Sequence, residues 1–154
     1  MKHHHRAFGL LLTIGLVGCG AETPDFPDVA PVTGTVTYQG KPVEGANVRF
    51  IPSAGEGNPA MATTDAEGHY TLSTTFSSSV TEEGAVPGNY SVLVIKLTKA
   101  EIDPNAAHDE VLVKEPPKNL LPREFSIPSS TPFKATVEAG KDNEVPLDLD
   151  ARGA

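Results

Sequence analysis

The chain is poor in the residues that build disulfides and metal centres. It contains one cysteine, no tryptophan, three tyrosines and six phenylalanines among 154 residues. A single cysteine excludes an intrachain disulfide, a cysteine-based zinc site and an iron–sulfur cluster, because each of these needs several thiolates. The net charge of −8 argues against a nucleic-acid partner, whose phosphates the surface would repel. We therefore expect a fold that needs no cofactor, metal or disulfide.

What the chain does contain indicates one loop-rich domain. It has 14 glycines and 14 prolines, yet 38 % of its residues are hydrophobic, which is enough to build a core. At roughly 100 to 200 residues per domain, the length leaves room for one domain and not two.

Residues 1–18 have the pattern of a secretory signal peptide. Lys2 and Arg6 give the first six residues a positive charge, and an apolar run follows from residue 7 to residue 18. A run of this length is too short for a membrane span, which needs ~20 residues. Its removal would deepen the net charge from −8 to −10.

The end of this apolar run carries a specific motif. Leu16, Val17, Gly18 and Cys19 resemble the lipobox of bacterial lipoproteins. The resemblance implies cleavage before Cys19, diacylglycerol on its thiol, and an acyl chain such as palmitate on the new amine. Two or three acyl chains hold a protein on a bilayer without a spanning helix. Retention in the inner membrane would favour Asp at the position after the cysteine. Gly20 therefore implies the outer membrane of the bacterial cell envelope.

The chain after Cys19 divides into a tether, a domain and a tail. Residues 21–31 contain three prolines, three acids and little periodicity, so residues 19–31 are interpreted as a lipidated N-terminus and flexible tether. Ordered structure is expected from Val32, giving a domain over residues 32–150 and a short tail over 151–154.

The pattern of this domain predicts an all-β fold of about seven strands. Alternating or apolar segments occupy residues 32–38, 46–52, 60–64, 69–73, 89–97, 133–138 and 144–149. Residues 89–97 are apolar on both faces, which predicts a central strand. Pro146 removes a ladder donor, which places the last strand at an edge. Short strands without an amphipathic helix predict a single β-sandwich of immunoglobulin-like size.

Asp65 and Gly68 bracket a predicted turn. They fit a hairpin between strands 60–64 and 69–73, with Tyr70 and Leu72 pointing inward. Together with Glu67 they could also be read as a fragment of a calcium loop, but the rest of that loop is missing.

Several of these segments together resemble carboxypeptidase regulatory-like domains, which are transthyretin-like β-sandwiches also found in short bacterial lipoproteins. The segments are 32–36 (VTGTV), 40–43 (GKPV), 65–72 (DAEGHYTL) and 87–92 (PGNYSV). Their motifs are mainly turn glycines and core aromatics, so the resemblance implies a fold and says little about activity.

No recognisable catalytic motif accompanies this fold. No histidine is followed three residues later by glutamate, and no Gly-x-Ser-x-Gly occurs. We expect a non-catalytic envelope module that is held on the membrane by Cys19 and is structural or binds a protein, glycan or peptide. The alternative is an envelope hydrolase with a site in the proline-rich segment 98–132, built on His108, Asp109 and Glu110. That segment has six prolines and is predicted to be the least stable region.

Overall fold

Short β-strands are the main regular structure in the computed structural model, which describes residues 26–55, 57–99, 101–102 and 113–150. The strands are β1 (Val32–Tyr38), β2 (Lys41–Pro42), β3 (Asn47–Pro52), β4 (Ala60–Thr63), β5 (His69–Thr71), β6 (Ser73–Ser77), β7 (Val80–Glu83), β8 (Gly88–Ile95), β9 (Glu101–Ile102), β10 (Val113–Glu115), β11 (Lys134–Val137), β12 (Asn143–Glu144) and β13 (Leu147–Asp148). A 3₁₀ helix, Arg123–Ser126, precedes β11.

Within the described residues the strands form two main sheets and one small ribbon. The larger sheet is antiparallel, in the order β11-β8-β3-β4-β6-β7. The smaller sheet is centred on β1, which pairs antiparallel with β2 and β5 and parallel with β12 and β13. Strands β9 and β10 pair only with each other in this part of the chain. The predicted all-β sandwich is confirmed, but the described residues form thirteen strands where about seven were predicted, because several strands are only two to four residues long.

Side-chain alternation sets which face of each strand enters the core. Val32 and Val36 on β1, and Val48 and Phe50 on β3, are fully buried, whereas the side chains between them are exposed or half-buried. The Phe50 ring lies 5.7 Å from the ring of Tyr90 on β8. The alternation predicted for residues 32–38 and 46–52 is therefore observed in β1 and β3.

Strand β8 is central, as its apolar sequence predicts. It pairs with β3 on one side and β11 on the other. Val92 and Val94 belong to the core between the sheets, while Leu93, on the opposite face, is also buried. The last strands lie at an edge, where β12 and β13 flank Pro146 and, among the described strands, pair with β1 alone.

The turn after β4 forms as predicted, but it does not close a hairpin. Asp65 Oδ1 accepts hydrogen bonds from the backbone N–H of Glu67 and His69, and Gly68 has a φ of 78°. Strand β5 nevertheless pairs with β1, and β4 pairs with β6. The predicted hairpin is wrong because the chain crosses to the other sheet at this turn and returns after Leu72.

The β6–β7 hairpin was not predicted. Its sequence is rich in serine and threonine and contains few apolar residues. One threonine holds it in place, because Thr74 is fully buried and its hydroxyl donates to the Gly84 carbonyl at 2.8 Å. A hydroxyl that satisfies a backbone acceptor can be buried without an unpaired polar group.

Ordered structure begins earlier than the predicted boundary at Val32. Phe26 stacks on Phe76 of β6 with ring centroids 5.0 Å apart. Ala30 is buried and exchanges two backbone hydrogen bonds with Ala85, at 2.8 and 3.0 Å. Residues 26–31, predicted as part of a flexible tether, therefore pack on the sandwich, because their apolar side chains and backbone groups find partners there.

The second half of the segment 98–132, which was predicted to be the least stable region, packs on the sandwich. Phe125 and Leu121 are buried in the core, and the Thr131 hydroxyl donates to the Val92 carbonyl at 2.6 Å. Residues 131–133 thus lie beside β8 just before β11 begins, and Leu121 and Phe125 pack into the core there. Residues 103–112 lie outside the described residues.

Candidate functional site

A groove lies on the face of the larger sheet that points away from the core. We call it the β3–β8 groove, and it has a volume of about 360 Å³. Its lining residues come from β3, β4, β8 and the adjoining turns: Gly45, Asn47, Arg49, Thr63, Ile95 and Leu97. The register pairs Asn47 with both Thr63 and Ile95, so three neighbouring strands contribute side chains at one level.

Arg49 is the charged side chain of this groove. It alternates with the buried Val48 and Phe50, so its guanidinium lies on the solvent side of β3. Its Nε donates a hydrogen bond to Asn47 Oδ1 at 2.8 Å, which orients the side chain along the strand. A guanidinium has five N–H donors, and this bond uses one of them. The planar fork suits a carboxylate or phosphate.

A second hollow adjoins the groove and shares Gly45 and Leu97 with it. Its volume is about 490 Å³, and its other lining residues are Glu44, Lys96, Thr98, Lys99 and Leu120. Leu97 and Leu120 are 55 % and 56 % exposed, which makes them the most exposed large apolar side chains in the described part of the chain. Groove and hollow thus combine apolar contact area with positive charge.

The walls of the hollow are fixed by backbone pairing. Leu120 N donates to the Lys96 carbonyl at 2.7 Å, and Thr98 N donates to the Lys118 carbonyl at 2.9 Å. The Asn119 side chain accepts from the backbone N–H of Lys96 at 3.2 Å. A site held by such bonds is largely formed before a ligand arrives, which lowers the ordering cost of binding.

The charge of this region is opposite to that of the whole chain. The chain carries −8, yet three cationic residues line the groove and hollow, Arg49, Lys96 and Lys99, against one acid, Glu44. The Lys96 ammonium donates to the Glu44 backbone carbonyl, so it lies over the rim of the hollow. An anionic partner would be attracted here and repelled elsewhere.

Two buried tyrosines elsewhere in the described residues have structural roles. Burial raises the pKa of the Tyr70 hydroxyl, which donates to the Val145 carbonyl at 2.6 Å. Burial likewise raises the pKa of Tyr90, whose hydroxyl donates to the Val86 carbonyl. His69 is exposed on β5. In this part of the chain no three His, Cys, Asp or Glu side chains gather where they could hold a metal ion.

The site residues predicted from sequence lie outside the described residues. These are Leu16, Val17, Gly18 and Cys19 of the lipobox-like motif, and His108, Asp109 and Glu110 of the alternative hydrolase site. Their roles remain predictions.

Sequence reasoning missed the groove. The alternation of residues 46–52 does place Asn47 and Arg49 on the outward face of a strand. The alternation does not show that β3 pairs with β8. This pairing brings Ile95 and Leu97 beside Asn47 and Arg49.

None of the described helical residues forms a helix long and apolar enough to cross a bilayer. Comparison of the chain with protein-family models, curated protein sequences and solved structures finds no match.

Proposed function

We propose that the chain is a lipid-anchored module of the bacterial cell envelope that binds an anionic partner through the β3–β8 groove and performs no catalysis. The observation that carries the binding role is the groove itself, where Arg49 and exposed Leu97 lie together on a rigid sheet of an otherwise acidic protein. Apolar surface beside a few placed charges is typical of binding sites.

The anchoring role is supported by the motif that ends at Cys19. The four residues resemble a lipobox, and they stand at the end of a signal-like apolar run on the only cysteine of the chain. Within this proposal the sandwich is a carboxypeptidase regulatory-like domain, and Gly20 favours the outer membrane. The partner is an envelope protein, peptide or glycan that carries negative charge.

The anchor is tested by expressing the full chain and its Cys19→Ser variant in a diderm bacterium. We expect the wild-type protein to partition into detergent with acyl chains on Cys19, detected by intact-mass spectrometry. The variant should remain unprocessed or lose its lipid. A wild-type protein that keeps Met1 and carries no lipid would contradict the anchoring role.

The binding role is tested with defined peptides. A glutamate-rich peptide should shift the amide resonances of β3 and β8, and a lysine-rich peptide of equal length should not. Arg49→Ala should weaken this binding by about 1–2 kcal/mol, the worth of a partly exposed charged contact. Lys141→Ala is the matched control, because Lys141 pairs with Glu138 in a distant turn.

Equal binding by Arg49→Ala and wild type would contradict the role of the groove. The hydrolase alternative has its own test, a screen for turnover of envelope substrates by the full chain. Turnover abolished by His108→Ala would overturn the non-catalytic proposal.

A further inference from the structure

Phe26 and the β3–β8 groove lie toward opposite ends of the larger sheet. The strand register shows this, because Phe50 of β3 pairs with Ala60 of β4, and Ala60 pairs with Thr74 of β6. Phe50, Ala60 and Thr74 therefore lie side by side across the sheet. Asn47 lies three residues from Phe50 toward one end of the strands, and Phe76 lies two residues from Thr74 toward the other end. The distance along the strands is about 17 Å at ~3.3 Å per residue.

Phe26 fixes where the chain enters the fold. Its ring stacks on Phe76 near the tip of the β6–β7 hairpin, and the chain then runs to Ala30, which pairs with Ala85. The close approach of this strand is reflected at Gly84, where a Cβ would lie 2.5 Å from the Ala30 carbonyl oxygen. Residues 26–31 are thus held along the hairpin, and Phe26 is the point at which the described chain joins the fold.

Only six residues separate Phe26 from Cys19. Even a fully extended chain spans no more than about 24 Å over these seven Cα–Cα steps, at ~3.4 Å each. A lipid on Cys19 would therefore keep the tip of the β6–β7 hairpin within that distance of the bilayer surface. The groove continues beyond Asn47 to Gly45 and Leu97, farther still from the tip.

We infer that the anchored domain stands on the membrane with the β6–β7 tip toward the lipid and presents the β3–β8 groove away from it. This inference rests on the proposed lipidation of Cys19. It also narrows the class of partner, because in this orientation the groove faces the aqueous compartment and not the headgroups of the membrane that holds the protein. The partner is then a soluble or extended anionic macromolecule of the aqueous compartment.

Energy transfer to labelled lipids tests the orientation. With the Cys19 thiol blocked by lipid, a dye is attached through Ser78→Cys, in the exposed turn of the hairpin, or through Leu120→Cys, at the hollow beside the groove. The full chain is processed in the cell, its acylation is confirmed by mass, and it is placed in zwitterionic vesicles that contain acceptor lipid. Such vesicles avoid repulsion of the acidic protein.

We expect about twofold or greater transfer efficiency from position 78 than from position 120, because the two differ in height by about 17 Å or more. Insertion of about twenty Gly and Ser residues after Ala21 should remove most of this difference, since a flexible linker frees the domain. Transfer that is equal at the two positions, or larger at position 120, would overturn the inference.

The two proposals fail in different ways. Missing acyl chains on Cys19 would refute the anchoring role, whatever the orientation. In that case the orientation can still be tested with the chain from Cys19 onward, coupled to a maleimide lipid through the Cys19 thiol. The dye is then attached at position 78 or 120 by a reaction that does not use a thiol. Acylated protein without a difference between the two positions would refute the orientation alone.

Discussion

Replacement of Gly34 by alanine tests the tightest approach in the smaller sheet. A Cβ at this position of β1 would lie 2.1 Å from the Val145 carbonyl oxygen and 2.7 Å from the Tyr70 hydroxyl oxygen. These two atoms are hydrogen-bonded to each other at 2.6 Å. An alanine must therefore displace backbone on one side and a buried tyrosine on the other. Glycine within a strand often marks such a close approach.

The expected cost combines two effects. Overpacking a well-packed site costs about 1–3 kcal/mol, and leaving a buried hydroxyl and carbonyl unpaired costs about 1–3 kcal/mol. Since both effects act on the same contact, we expect Gly34→Ala to lower the free energy of unfolding by about 2–5 kcal/mol. This is a large share of the ~5–15 kcal/mol that stabilises a typical domain.

Urea unfolding followed by circular dichroism measures this change. The control is Thr33→Ala, because Thr33 is exposed on the same strand and its loss should cost no more than about 1 kcal/mol. In a Tyr70→Phe background the hydroxyl is absent, so Gly34→Ala should cost less than it does in the wild type. A Gly34→Ala cost equal to that of Thr33→Ala, or fully additive with Tyr70→Phe, would refute the reasoning.

Three further predictions concern stability. Thr131→Val should lower the free energy of unfolding by about 1–2 kcal/mol in urea, because the backbone carbonyl of β8 loses a donor. Gly68→Ala should lower the melting temperature more than Gly40→Ala, since both have positive φ but only the first would place a Cβ 2.6 Å from a β1 carbonyl. Burial raises the pKa of Tyr70 in the folded protein, so with rising pH this tyrosine loses its proton earlier in the unfolded chain than in the folded one. The free energy of unfolding should therefore not depend on this group below pH ~10 and should fall above that pH. The fall should be smaller in Tyr70→Phe.

Local patterns in the sequence predict much of this fold. Alternation identifies the inward faces of β1 and β3, and apolar residues on both faces identify β8 as central. Pro146 correctly marks an edge, because a residue without an N–H cannot sit between two strands. Each of these inferences depends only on neighbouring residues and on what one strand must bury.

The features that sequence did not predict depend on pairing between distant segments. The turn at Asp65 and Gly68 has the local chemistry of a hairpin turn. The strand after it nevertheless pairs with β1, in the smaller sheet, and Tyr70 and Leu72 are buried in that arrangement. The groove likewise arises from the register of β3 against β8, which are far apart in the chain. No local pattern specifies which strand becomes a neighbour.

The parallel pairing of β1 with β12 and β13 places the first strand of the sandwich against the last. The smaller sheet therefore cannot be completed until the whole chain is available, and such long-range contacts slow folding. A chain that ends before residue 143 would leave one side of β1 open as a template for another strand. The edge of β1 is therefore covered only when residues 143–148 have been made, so these C-terminal strands protect the first strand of the sandwich from pairing with another chain.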